Sequence, residues 1–330
     1  SWLYGLGVGL RNFLFNQGIL KQQSYPIPLI CVGNITVGGT GKTPHVELLI
    51  SILRKQYRIA VISRGYKRKS RGLREVTLTS TAEEVGDEPK QIKQKYPEVR
   101  FVVDGNRRRA MRYLLALPEG ERPDVVLLDD GFQHRYVHPS FSILLIDAQR
   151  ELHDDELLPL GGLREPATAR YRADCIILTK CPHDMQPITL RIMQRNLDLY
   201  AHQEIFFSRI CYQQPRAVRT LLGEAASPLP KDALVIALSG IASPGLFFTY
   251  LDERYALIDQ LVYPDHHHFR PKDFTAISER WQELCEQHSG RPVYIVCTEK
   301  DAVRFTDSLG ELPEELVKQL YFLPIETQIL

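Results

Sequence analysis

Residues 28–44 read Pro28-Leu-Ile-Cys-Val-Gly-Asn-Ile-Thr-Val-Gly-Gly-Thr-Gly-Lys-Thr-Pro44. Leu29 to Val32 is a short apolar run that predicts a buried strand. It opens into a glycine-rich turn at Gly38, Gly39 and Gly41, and Lys42-Thr43 then begin a helical pattern through Leu48, Leu49, Ile52 and Leu53. Strand, small-residue loop and helix start together form a phosphate cradle. Glycines let backbone N–H groups turn toward an anion, and the helix N-terminus adds partial positive charge. The expected nucleotide contacts are Gly38, Gly39, Thr40, Gly41, Lys42 and Thr43, with Lys42 on the β/γ-phosphates and the Thr43 hydroxyl on Mg²⁺. Thr36 stands where the strict G-x-x-x-x-G-K-[ST] pattern has its first glycine. A ligand-free turn is the rival reading, but Gly-Lys-Thr directly after a strand favours a bound nucleoside triphosphate.

The 330 residues suffice for a sizeable core and two domains. A hydrophobic share of 44% with 25% charged residues is that of an ordinary globular chain. A net charge of +1 argues against bulk nucleic-acid binding, so anion recognition must come from local patches. The six cysteines contain no C-x-x-C pair and mostly lie in apolar runs, which fits reduced, buried thiols. No run of 18 uncharged apolar residues is present, so no segment is expected to span a bilayer.

Trp2, Leu3, Leu6, Leu10, Phe13 and Leu14 fall at helical spacing, and the segment lacks the basic start and cleavage site of a signal peptide. Two readings stand for it: an interfacial helix lying on a membrane, or a helix packed on the core. After a second strand at 57–63, residues 64–74 carry six basic side chains, which form either a solvated loop or a clamp on an anionic substrate. Asp87 and Glu88 in Gly86-Asp-Glu-Pro89 are either first-turn acids favoured by a helix dipole or, functionally, a general base or a metal contact, and the motif alone is too short to decide. Arg107, Arg108 and Arg109 lead a helix whose dipole they oppose, which suggests an anionic partner.

Asp124-Val-Val-Leu-Leu-Asp-Asp130 matches a Walker B strand, whose terminal carboxylate reaches the Mg²⁺ shell. Gln133 and His134 follow at the same carboxyl edge, where α/β sheets place ligands. Further strands at 141–147 and 174–180 alternate with helical patterns, predicting a mostly parallel sheet. A Pro/Ala/Ser-rich stretch near 223–230 marks the change to a second α/β unit, with strands at 233–239 and 292–297. The histidines of Pro264-Asp-His-His-His-Phe269 read more simply as a general-base partner or surface residues than as a metal site, because consecutive side chains diverge.

Assembled, these blocks resemble the tetraacyldisaccharide 4′-kinase family of lipid A biosynthesis. The blocks are V-G-N-I-T-V-G-G-T-G-K-T-P (32–44), S-R-G-Y (63–66), G-D-E-P (86–89), D-G-N-R-R-R-A (104–110), L-L-D-D-G-F-Q-H (127–134), L-P-x-G-x-L-R-E-P (158–166), S-G-I-A-S-P (239–244), P-D-H-H-x-F (264–269) and T-E-K-D-A-V (298–303). They follow family order over nearly the whole chain. Thr36 agrees with the family's own loop variant, whereas Lys67 stands where the family often has glycine.

The resemblance implies an α/β fold: a P-loop kinase-type domain with a mostly parallel sheet, a smaller α/β domain and an N-terminal amphipathic helix. The expected divisions are 1–24 for the membrane-interfacial helix, 25–212 for the P-loop domain and 213–330 for a smaller domain that closes over the nucleotide. It implies transfer of the ATP γ-phosphoryl, with Mg²⁺, to the 4′-hydroxyl of an acylated glucosamine disaccharide 1-phosphate. The implied setting is the cytoplasmic face of the bacterial inner membrane, with no nucleic-acid partner and a monomeric chain. Asp87 is then the base, paired with His266; Lys42 and Arg164 neutralise migrating charge. Thr43, Asp129, Asp130 and Glu165 form the implied Mg²⁺ set. Arg64, Tyr66, Asn106, Arg107, Gln133 and His134 form the implied lipid-substrate set, facing a sugar phosphate or anionic headgroups.

Three rivals belong to other classes. A partitioning-type regulatory ATPase would place a signature lysine where Val37 stands. A GTPase would need an aspartate two residues after Lys180, where Pro182 stands. A lipid-binding scaffold would leave Lys42, Asp87 and Asp130 without roles.

Overall fold

A computed structural model describes residues 2–150, 152, 155–265, 267–288 and 290–330. In chain order the first part runs α1 (Trp2–Asn16), β1 (Leu29–Gly33), α2 (Lys42–Leu53), β2 (Ile59–Ser63), β3 (Arg74–Val76), α3 (Ala82–Val85), α4 (Asp87–Lys95), β4 (Arg100–Val103), α5 (Arg107–Leu115), β5 (Val125–Asp129), β6 (Phe141–Asp147), β7 (Cys175–Thr179), α6 (Pro187–Asn196) and β8 (Glu204–Tyr212). The remainder runs β9 (Arg216–Ala217), β10 (Leu234–Ser239), α7 (Gly245–Asp252), β11 (Ala256–Val262), α8 (Pro271–Gln287), β12 (Val293–Thr298), α9 (Glu299–Phe305), α10 (Glu314–Lys318), β13 (Leu320–Leu323) and β14 (Ile325–Ile329). Two compact units result: the larger holds residues up to Ser80, Glu84–Cys211 and Thr327–Leu330, and the smaller holds Thr81–Glu83 and Tyr212–Glu326.

The larger unit is built on a sheet ordered β14-β8-β7-β6-β1-β5-β2-β4-β3. Every pair from β8 through β4 is parallel, and β3 joins β4 antiparallel. From β1 the chain moves outward one way to β2 and β4, returns to β5, and then crosses to β6 on the other side. The carboxyl ends of β1 and β5 therefore flank a topological switch point, where such sheets open a crevice for ligands.

Alternation along the strands supplies both faces of this sheet. Leu29, Cys31, Ala60, Ile62, Val126 and Leu128 join one core with Ala110, Met111 and Leu114 of α5. Val32, Val61, Val103 and Leu127 join the other with Val46 and Ile50 of α2 and Ile92 of α4. Burying each large aliphatic side chain contributes roughly 1.5–3 kcal/mol, so packing rather than propensity holds these helices. Pro44 is tolerated because it lies in the first turn of α2, where an N–H has no helical partner.

In the smaller unit the sheet order is β11-β10-β12-β13-β9. A hydrogen bond from the Gly240 amide to Asp301 Oδ2 (2.8 Å) links the turn after β10 to α9. Arg304 bridges the same pair, donating to Asp301 Oδ1 at 2.6 Å and to the Gly240 carbonyl at 3.2 Å.

α1 buries only Phe15. Trp2, Leu3, Leu6, Leu10 and Phe13 are all more than half exposed. Its polar edge is bonded down: Arg11 donates to the Gln133 carbonyl at 2.6 Å, and the Tyr4 hydroxyl donates to the Arg164 carbonyl at 3.0 Å. Phe15 sits edge-on to Tyr136 and lies beneath both Arg11 and Arg135. Among the described residues no helix is long and apolar enough to cross a membrane.

Candidate active site

The loop between β1 and α2 is set by left-handed glycines. Gly38 has φ 97° and Gly41, at the N-cap of α2, has φ 83°. A β-carbon is strained in that region, so the glycines at these two places are a backbone requirement. The L-P-x-G-x-L-R-E-P segment folds against this loop. The Val37 amide donates to the Gly162 carbonyl and the Arg164 amide to the Ile35 carbonyl, both at 2.7 Å. This pairing brings a block more than 120 residues downstream to the edge of the phosphate cradle.

Lys42 opens α2 with its Nζ 3.6 Å from Asp130 Oδ1 and 3.4 Å from Asn34 Oδ1. Arg164 approaches the other oxygen of Asp130 at 3.5 Å. Asp130 follows β5 at φ 49°, a left-handed conformation that aspartate tolerates better than most residues. Three expected residues thus converge. Asn34 was not anticipated; its amide also donates to the Thr36 carbonyl at 3.0 Å, bracing the loop from beneath.

Asp129 is buried and its Oδ1 has no hydrogen-bond partner. Burial pushes its carboxyl up to about 7, with the charges of Glu88 and Asp130 adding to the rise and Lys42 and Ser63 opposing it. Since Glu88 is its strongest charged influence, the start of α4 lies beside the end of β5. Asp87 is the first residue of α4, behind Gly86, at the same edge.

A bound Mg²⁺ fits these residues. Among the described residues no cluster of three or more His, Cys, Asp or Glu side chains forms a metal cage. Mg²⁺ takes one or two protein oxygens and fills its other positions with phosphate and water, so a cage is not required. The orphaned Asp129 oxygen is a carboxylate position that a cation would satisfy, and the buried Thr40 hydroxyl is likewise without a partner. Glu165, also expected in this set, is ion-paired with Arg172 at 2.6 Å and accepts from Asn12 of α1 at 3.3 Å.

The expected substrate residues divide between two places. Around His134 stand Arg107, Arg11, Arg108 and Arg64; burial first, and then these four charges, lower its pKa to about 4. Its Nε2 is buried with no partner, as is Arg107 Nε. Gln133 lies beside it, held through its carbonyl by Arg11. Arg64, Tyr66 and Asn106 line a cleft of about 550 Å³ with Lys67, Arg68 and Arg71. Arg109 also borders this cleft but has an internal anion, donating to Asp104 at 2.6 Å. The anionic partner suggested by the arginine run is therefore partly the protein's own Asp104. Arg11 escaped the sequence reading because its role depends on how α1 docks, and Arg172 because its pairing with Glu165 has no motif of its own. His266 lies outside the described residues.

The family description for tetraacyldisaccharide-1-P 4′-kinase matches residues 1–329. A tetraacyldisaccharide 4′-kinase of Porphyromonas gingivalis is 48% identical over 330 residues, covering 100% of this chain and 91% of the relative. One from Parabacteroides distasonis is 46% identical over 332 residues, covering 98% and 87%. Among solved structures, LpxK from Aquifex aeolicus in complex with ATP superimposes with a TM-score of 0.75 at 28% identity, covering 100% of this chain and 93% of that one.

Proposed function

The chain belongs to the tetraacyldisaccharide-1-P 4′-kinase family, and on that premise we propose that it transfers the γ-phosphoryl of ATP to the 4′-hydroxyl of an acylated glucosamine disaccharide 1-phosphate. The observation that carries this reading is the convergence of Lys42 and Arg164 on Asp130 at the carboxyl edge of β1 and β5. Phosphoryl transfer is mostly positioning and charge neutralisation, and two cations at a phosphate loop meet that need. The A. aeolicus relative is seen with ATP, which supports the same nucleotide here.

The amides of 38–43 hold the β- and γ-phosphates, and Lys42 and Arg164 leave Asp130 to meet the migrating charge. Thr43, Asp129 and Asp130 are the residues that would hold Mg²⁺, which when bound neutralises phosphate oxygens. Asp87 takes the proton of the attacking hydroxyl. The arginines around His134 and in the 64–72 cleft face the acidic headgroup of the acceptor. The exposed apolar side chains of α1 lie in the cytoplasmic face of the bacterial inner membrane, presenting a monomeric chain to a substrate that stays in the bilayer.

The test follows bisphosphate formation from radiolabelled tetraacyldisaccharide 1-phosphate in detergent, with ATP and Mg²⁺, for the native chain and Asp87→Ala. Product from the native chain and a loss of ~10²-fold or more in the variant supports both kinase and base. Absence of product with ATP bound refutes the lipid-kinase reading, and an unimpaired variant removes Asp87 from the chemistry.

A further inference from the structure

A phosphate loop works by aiming its N–H groups at the anion, so its carbonyls must point elsewhere; a carbonyl turned inward repels phosphate oxygens. Three carbonyls of this loop are each engaged by a side chain from beyond it. Arg150, just after β6, donates from Nη1 to the Val37 carbonyl at 2.8 Å. The buried Thr179 hydroxyl, at the end of β7, lies 3.0 Å from the Thr40 carbonyl and 3.3 Å from that of Ile146. His45 Nδ1 lies 2.7 Å from the Gly41 carbonyl.

The tautomer of His45 follows from its partners. A carbonyl only accepts, so Nδ1 carries the proton, and Nε2 accepts from the Ser208 hydroxyl of β8 at 2.9 Å. Three neighbouring strands, β6, β7 and β8, thus each lend one anchor to the loop that leaves β1.

We propose that Arg150, Thr179 and the His45–Ser208 pair are positioning residues that hold the carbonyls of Val37, Thr40 and Gly41 outward, so that the loop is in its phosphate-accepting form before nucleotide arrives. The proposal rests on the nucleotide reading of this loop and on no assumption about the lipid acceptor. Preorganisation of this kind acts on ATP binding, because a loop without its anchors must be ordered at the expense of binding energy.

Thr179→Val is nearly isosteric and deletes only the hydroxyl; Thr179→Ser restores it. The measurement is the Kd for MgATP by calorimetry, with KM and kcat beside it and the unfolding temperature of the nucleotide-free chain. Thr179→Val should weaken ATP binding about 3- to 10-fold and raise KM for ATP by a similar factor, as expected for one lost hydrogen bond. Its kcat at saturating ATP should stay within about 2-fold of native, and Thr179→Ser should recover native affinity. Ser208→Ala, which frees the ring of His45, gives an independent second reading and should weaken ATP in the same direction. Native-like affinity in both Thr179→Val and Ser208→Ala overturns the proposal, as does a lowered unfolding temperature with unchanged Kd. A native chain that binds no MgATP overturns the nucleotide reading itself, together with this one.

Discussion

Lys42 Nζ and Asp130 Oδ1 lie 3.6 Å apart, the first residue of α2 facing the residue just past β5. The Lys42 side chain is 14% and that of Asp130 38% exposed, so this long, partly solvated contact is worth about 1 kcal/mol of stability or less. Its importance lies in charge placement. Lys42→Ala should leave the unfolding temperature almost unchanged while cutting kcat/KM for ATP by ~10²-fold or more, the usual scale for removing a preorganised group from developing charge. Parallel thermal melts and steady-state kinetics check this, and a variant with native kinetics contradicts it.

Glu165 and Arg172 give the opposite expectation. Glu165 is 1% exposed on its side chain and its ion pair with Arg172 is 2.6 Å long. Arg172→Ala would strand a buried carboxylate and should cost about 3 kcal/mol in urea denaturation. Glu165→Gln should cost clearly less, because it removes the charge along with the need for a partner.

His134 predicts a pH dependence. Its pKa in the fold is lowered to about 4, against 6.5 ordinarily. Between those values the unfolded chain binds a proton that the folded chain does not. Stability from this group is therefore complete above about pH 6.5 and is lost as pH falls toward 4. His134→Gln should flatten that part of the curve, read as the denaturation midpoint at pH 5 against pH 7.5. An unchanged slope would mean that neither burial nor the arginines around the ring disfavour its charge.

Exposed apolar residues on α1 predict surface binding. Leu6→Glu with Leu10→Glu should reduce co-sedimentation with anionic phospholipid vesicles by roughly 10-fold or more, since each leucine removed from the interface forfeits its burial. Turnover of detergent-dispersed substrate should fall much less. Equal loss in both assays would assign α1 to the chemistry rather than to the surface.

Much of this arrangement was legible in the chain. β6 was read at its observed limits, Phe141 to Asp147, and β1, β5, β7 and β10 within a residue or two, because parallel strands buried on both faces are unbroken apolar runs. β3 and β9 were not read: three and two residues are too short for a period. β11 escaped because Asp259 and Gln260 interrupt its apolar pattern. Near the site, Lys42, Asp129 and Asp130 announced themselves through local spacing. What spacing could not convey was the antiparallel contact that brings Arg164 to Ile35, or the carbonyl anchors supplied by Thr179 and His45. These depend on strand order, and strand order is set by packing across the whole sheet. Likewise, the return of Thr327–Leu330 to the larger unit has no signal in the last residues themselves.

The Gly240–Asp301 bond joins two blocks that are 61 positions apart. S-G-I-A-S-P and T-E-K-D-A-V thus form a single structural object, since the aspartate that holds one turn is carried by the other. A chimera grafting 239–244 from a distant relative would acquire a turn without its matched anchor, whereas one exchanging 239–304 as a block would carry both halves. For anyone recombining members of this family, crossover points belong before Ser239 or after Arg304.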